Sequence, residues 1–253
     1  FVMAIAPFLH WKRSHIGPAF MNLRVAFGCA SLAGVLAYFA YKGNFIGPIA
    51  LALGIWLALG TLSELAARIR LFKVSLYSSF KTLTRIPRAN WGMTLGHLGL
   101  AVGVIGMAGA GTWTVESIQV MKPNDTVEIS GYEFKFDGAE PITGPNYSAI
   151  AGRFSVRRDG HHITNLIAEK RFYNVSKQPT TEAAIHSTWA GDLYAVIGDA
   201  DGNEGAFVTR LYFNPLVIWM WIGVLIMVIG GAISLSDRRY RIGPPKQSRA
   251  LTP

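Results

Sequence analysis

His97 lies in the apolar run 91–113, WGMTLGHLGLAVGVIGMAGAGTW, which contains no other ionisable side chain. Lipid solvates an ionisable group poorly, so a histidine inside a spanning helix marks a functional site by default. Neutral imidazole is a good metal ligand, including an axial ligand for haem iron. Gly92, Gly96, Gly99, Gly103 and Gly106 recur at spacings of four, three, four and three. Such a stripe lets another backbone or a flat ligand approach closely. His97 is expected beside that stripe, roughly 9 Å in from Trp91 at ~1.5 Å per residue. The residues alone leave two readings open: axial ligation of haem between helices, and a packing histidine hydrogen-bonded to a neighbouring span.

The remaining candidates are weaker. His161 and His162 follow Asp159-Gly160 in a predicted hairpin turn. Adjacent strand residues point to opposite faces, which argues against joint ligation. His186 ends a strand-like run, and His10 and His15 flank the first predicted loop. Glu169 and Arg171 share one strand face and are expected to pair, as a surface ion pair of little energetic worth. Cys29 is the single cysteine, so no internal disulfide is available. It is expected to act as a small buried hydrophobe. No Ser-His-Asp set and no glycine-rich phosphate loop is present, so no catalytic side chain is assigned.

Long apolar segments must position these residues. The 253 residues are 51% hydrophobic and 15% charged, against about 25% charged in ordinary soluble domains. The fold class is an α-helical integral membrane protein with four full spans, a partial N-terminal one and an inserted all-β domain. Residues 1–10 read as the end of a span whose beginning lies upstream, since FVMAIAPFL lacks a signal-peptide pattern. The chain is accordingly expected to be a piece of a longer protein. Residues 11–21 form a loop, 22–67 a transmembrane hairpin, and 68–90 a basic segment. The span carrying His97 is 91–113, and the last span is 216–235, followed by the basic tail 236–253.

Charge fixes the expected orientation. Fifteen Lys or Arg lie outside 114–213, and all but Lys42 fall on one face when the chain crosses at each span. The positive-inside rule makes that face cytoplasmic. The +9 net charge is therefore mostly topology and not a nucleic-acid footprint. Segment 68–90 reads as an interfacial helix lying in the headgroups. The functional alternative there is that Arg85 or Arg88 neutralises an anionic group near the start of the next helix. Segment 114–213 carries nine Lys or Arg against thirteen Asp or Glu, a net of −4. Its short alternating runs, separated by Pro123-Asn124-Asp125, Ser130-Gly131, Asp159-Gly160 and Asp201-Gly202, predict antiparallel strands in a sandwich or small barrel.

RANWGMTLGHLGLAVGVIG, then ISGYEFKFDG, GPNYSA, LIAEKRFY, TEAAIHS, DLYAVIGD and RLYFNP, then WMWIGVLIMVIGG, together resemble the C-terminal part of the CcmF family of cytochrome c-type biogenesis proteins. The likeness runs from about residue 1 to about 243; the paralogous subunit of nitrite-reductase maturation is similar. The resemblance implies a subunit of the cytochrome c haem lyase, in the bacterial inner membrane, with the β domain periplasmic. It implies a membrane haem b held by two histidines on different helices, one of them His97. The second axial ligand, a tryptophan-rich segment and two exported-side histidines lie upstream of the matched portion. The implied role is to help reduce and transfer haem, delivered transiently by a haem chaperone, for attachment to apocytochrome c. A thioredoxin-like or TPR-bearing subunit is the further implied partner, with membrane lipid around the spans. The alternative function is a membrane-anchored scaffold that recruits the chaperone and apocytochrome without a redox role. A transporter reading is weakest, because His97 and Glu64 are the ionisable residues within or near a span.

Overall fold

The computed structural model describes residues 2–5, 16–40, 44–202 and 205–237. The chain forms two compact units. One comprises Phe1–Leu36, Leu51–Val104 and Trp221–Pro253; the other comprises Ala37–Ala50 and Ile105–Met220.

The helices are α1 (Val2–Ile5), α2 (Ile16–Ala40), α3 (Ile46–Arg68), α4 (Leu76–Leu83), α5 (Arg88–Thr112) and α6 (Val217–Leu235). Among the described residues, α2, α3, α5 and α6 are long and apolar enough to cross a membrane. The expected four-span class with an inserted β domain is the class observed. Boundaries differ in instructive ways. Helix α2 begins at Ile16, inside the predicted loop 11–21. Pro18 falls in its first turn, where a missing N–H costs nothing. Helix α3 starts after Asn44, whose Oδ1 accepts from the Ile46 N–H at 2.9 Å. The basic segment 68–90 holds a single short helix, α4, capped by Ser75. Leu76, Tyr77 and Phe80 of α4 are exposed. Within the predicted 68–90 segment, α5 already begins at Arg88. Residues 6–15 and 238–253, with His10, His15 and most of the predicted tail, lie outside the described residues.

Helix packing in the first unit rests on small residues. Ala4, Leu23, Ala26, Ala30, Trp56, Leu57 and Ala101 form one buried cluster drawn from α1, α2, α3 and α5. Cys29 is exposed and not the buried hydrophobe expected of it. It lies on α2 to the side of the inward stripe of Leu23, Ala26 and Ala30.

The second unit contains the β-sandwich. Its strands are β1 (Val115–Met121), β2 (Thr126–Ile129), β3 (Tyr132–Thr143), β4 (Tyr147–Arg158), β5 (His161–Tyr173), β6 (Pro179–Glu182), β7 (Ala184–Ser187), β8 (Gly191–Ala200) and β9 (Phe207–Pro215). One sheet has the order β1-β9-β8-β7 and the other β2-β3-β4-β5-β6. Period-two alternation sends Tyr132, Phe134 and Phe136 of β3, and Leu193, Ala195 and Ile197 of β8, into one core. The predicted turns set the register. Ser130-Gly131 and Asp159-Gly160 take positive φ at both positions, as two-residue type I′ hairpin turns require.

Candidate functional site

Helix α5 is held at two places. At its start, the backbone N–H of Ala89 donates to Asp237 Oδ2 at 3.1 Å. A carboxylate there offsets the positive end of the helix dipole. The N-terminus of α5 is thus met by a residue of the chain itself, just beyond α6. Along its length, Gly92, Gly99 and Gly106 of the stripe pack against α6. A Cβ added at Gly99 would stand 2.6 Å from the Gly223 carbonyl oxygen, and one at Gly92 would stand 2.6 Å from that of Gly230. The backbones therefore approach as closely as small-residue helix pairs allow.

This corrects the expected placement of His97. At about 100° per residue, the stripe is centred roughly 140° around the helix from His97. At Gly92 and Gly99 the stripe is occupied by α6, which leaves no room for a flat ligand there. His97 instead shares a face with Ala101, one turn further on and roughly 40° away. Ala101 is fully buried in the cluster with Ala4, Leu23 and Trp56.

His97 itself is half-buried. Its Nδ1 is buried and has no hydrogen-bond partner among the described residues. A buried polar nitrogen left unpaired costs about 1–3 kcal/mol, so it calls for a partner from elsewhere. The packing alternative required a hydrogen bond to a neighbouring span, and Nδ1 makes none with a described residue. An imidazole bound to a metal through one nitrogen ordinarily engages a second-shell acceptor through the other. An imidazole such as that of His97 has the donor chemistry of a metal ligand. Among the described residues, His97 is the sole histidine of its unit, so a second histidine ligand is not found there.

Helix α3 carries a second buried ionisable group. Glu64 is buried, and Arg68, one turn on, donates from Nε to Glu64 Oε1 at 3.0 Å. Glu64 Oε2 and Arg68 Nη1 are buried without partners among the described residues.

The sandwich disperses its candidates. His161 and His162 are consecutive residues of β5, opposite Arg158 and Arg157. His162 Nε2 shares a hydrogen bond of 2.8 Å with Asn165 Oδ1. His186 lies opposite Leu193 in the other sheet. Arg171 does pair with Glu169, donating from Nε at 2.7 Å, and lies 4.5 Å from the centre of the Tyr147 ring. The Glu169 hydrogen bond pushes the guanidinium further up from its already high value. Sequence reasoning missed Asp237 and the Tyr147 stacking, because both partners are distant in the chain.

Four long apolar helices with a β-sandwich between the third and fourth define a multi-pass membrane protein. Residues 112–215 match the family model described as the CcmF C-terminal beta-sandwich. The chain is 37% identical to the cytochrome c-type biogenesis protein CycK of Rhizobium meliloti over 249 residues, 98% of this chain and 37% of that one. It is 34% identical to the cytochrome c-type biogenesis protein CcmF of Escherichia coli over 249 residues, 97% of this chain and 37% of that one. The chain belongs to the CcmF family and corresponds to its C-terminal part. The solved structure named Cytochrome c Heme Lyase CcmF shares the fold, with a TM-score of 0.72 at 19% identity, covering 93% of this chain and 38% of that one. The chain spans 37% of the length of the two relatives.

Proposed function

We propose that this chain is part of a cytochrome c haem lyase and that His97 supplies one axial ligand to a membrane haem b. The observation that carries the proposal is the buried Nδ1, without a partner among the described residues, of a histidine inside a spanning helix. Family membership supports it, since relatives of this chain are cytochrome c-type biogenesis proteins. The haem supplies one-electron chemistry at its iron when bound.

The chain's own part is to hold and aim the imidazole. Close packing of α5 on α6 fixes the helix, and Asp237 fixes its start. One turn further along the same face, Ala101 is buried in the apolar cluster with Ala4, Leu23 and Trp56. The second axial donor comes from outside these 253 residues. The protein sits in the bacterial inner membrane with the sandwich in the periplasm, where it meets a haem chaperone and apocytochrome c alongside a thioredoxin-like or TPR-bearing subunit.

The test is the visible spectrum of the protein purified from its membrane after His97→Ala. The expected result is loss of the b-type absorption with the protein still present at normal abundance. Retention of a normal bis-histidine spectrum would overturn the assignment.

A further inference from the structure

The turn between β7 and β8 is tied to the first turn of a spanning helix. Thr188 closes the turn: its Oγ accepts from the Gly191 N–H at 3.1 Å, and its own N–H donates to the Gly191 carbonyl at 3.0 Å. Two bonds then link the turn to the start of α6. The Leu216 N–H donates to the Ala190 carbonyl at 2.9 Å. The Trp219 indole Nε1 donates to the Trp189 carbonyl at 2.9 Å. The two indole rings stand 6.0 Å apart. The end of α5 is at the same level, since a Cβ on Gly109 would lie 2.8 Å from Leu216 Cδ1. Trp113 follows directly after α5. Yet the Trp189 side chain is 70% exposed.

A large exposed indole normally raises the question of what covers it. Here the backbone answers. The carbonyl of Trp189 is bonded to the third residue of α6, so the turn and its ring stand level with the first turn of that helix. Tryptophan favours this level because its body is apolar while its N–H and ring dipole suit the headgroup region. We propose that Trp189 is a lipid anchor: the β7–β8 turn rests in the headgroup–acyl boundary of the leaflet where α6 begins. The anchor fixes one of the two edges of the four-stranded sheet. Strand β7 is that edge, only four residues long, with Ile185 exposed beside it. A short edge strand laid against lipid is withheld from pairing with other strands. The proposal requires only that α6 crosses the membrane, and it is independent of His97 and of haem.

The chain is reconstituted in nanodiscs of phosphatidylethanolamine and phosphatidylglycerol, in a Cys29→Ser background. Trp189→Cys and, as a reference, Val175→Cys are labelled with an environment-sensitive fluorophore. Val175 is 91% exposed in the turn between β5 and β6. The expected result is several-fold stronger quenching at position 189 than at 175 by lipid carrying a headgroup-proximal nitroxide. Iodide in the buffer should quench 189 several-fold less than 175. Equal access of iodide to both positions overturns the proposal. Shielding of 189 from both quenchers also overturns it, because protein, such as a second copy, then covers the indole. A label-free measurement guards against damage by the cysteine. Tryptophan emission lost on Trp189→Tyr should be emission that brominated lipid quenches in the unmodified protein.

Discussion

Glu64 and His97 are both ionisable groups inside spanning helices, and the chain treats them oppositely. Glu64 has a cation one turn away on its own helix, so its charge is matched wherever the helix goes. His97 has a buried Nδ1 with no partner among the described residues, which suits a group that meets something from outside. The pairing on α3 has a stability consequence. Removing one member of a buried pair leaves the other charged and unmatched, at a cost of about 3–5 kcal/mol when burial is complete. The Arg68 side chain keeps a quarter of its surface and can reach toward the headgroups. Glu64→Ala should therefore cost about 2 kcal/mol, read as a lower Tm in detergent. Glu64→Ala combined with Arg68→Leu should recover most of that loss. If the double variant were no better than the single, the pair would not be the source of the stability.

At the scale of elements, α5 and α6 pack through glycine at defined positions and not along the whole stripe. A Cβ at Gly99 meets backbone atoms of Gly223 and Met227, whereas one at Gly103 meets nothing within 4 Å. Gly99→Ala should destabilise by about 1–3 kcal/mol through overpacking, while Gly103→Ala should be near neutral. Thermal melts of the two variants distinguish these outcomes, and equal effects would contradict the packing described. The stripe is plain in the sequence, but its relation to His97 is not. Spacing alone shows which glycines align; it does not show that the histidine lies on nearly the opposite face until the helical phase is followed. The sandwich was more legible. Type I′ turns leave strong marks, as at Ser130-Gly131 and Asp159-Gly160, and alternation assigns each strand an inner face. Long-range contacts were not legible: nothing in the local sequence links Asp237 to Ala89, or Trp219 to Trp189.

For the molecule as a whole, the sign of charge divides along the chain. The segment 114–213 is net negative, while basic residues gather in 68–90 and 236–253. With each of the four long helices crossing once, that division predicts the sandwich on one side of the membrane and α4 on the other. In the Cys29→Ser background, Val175→Cys should react with a membrane-impermeant thiol reagent applied to the periplasmic face. Lys73→Cys should react only after the cytoplasmic face is opened. Labelling of both from the same face would reverse or break the topology. The same frame predicts His97 in the half of the bilayer nearer the basic side. The imidazole is thus the feature on which the functional account turns. The most direct test is low-temperature electron paramagnetic resonance of the oxidised protein with and without His97→Met. If His97 ligates a haem iron as proposed, the low-spin signal of two imidazole ligands is replaced by the signal of one imidazole and one thioether, or lost with the haem. An unchanged bis-imidazole signal in the His97→Met protein would contradict it.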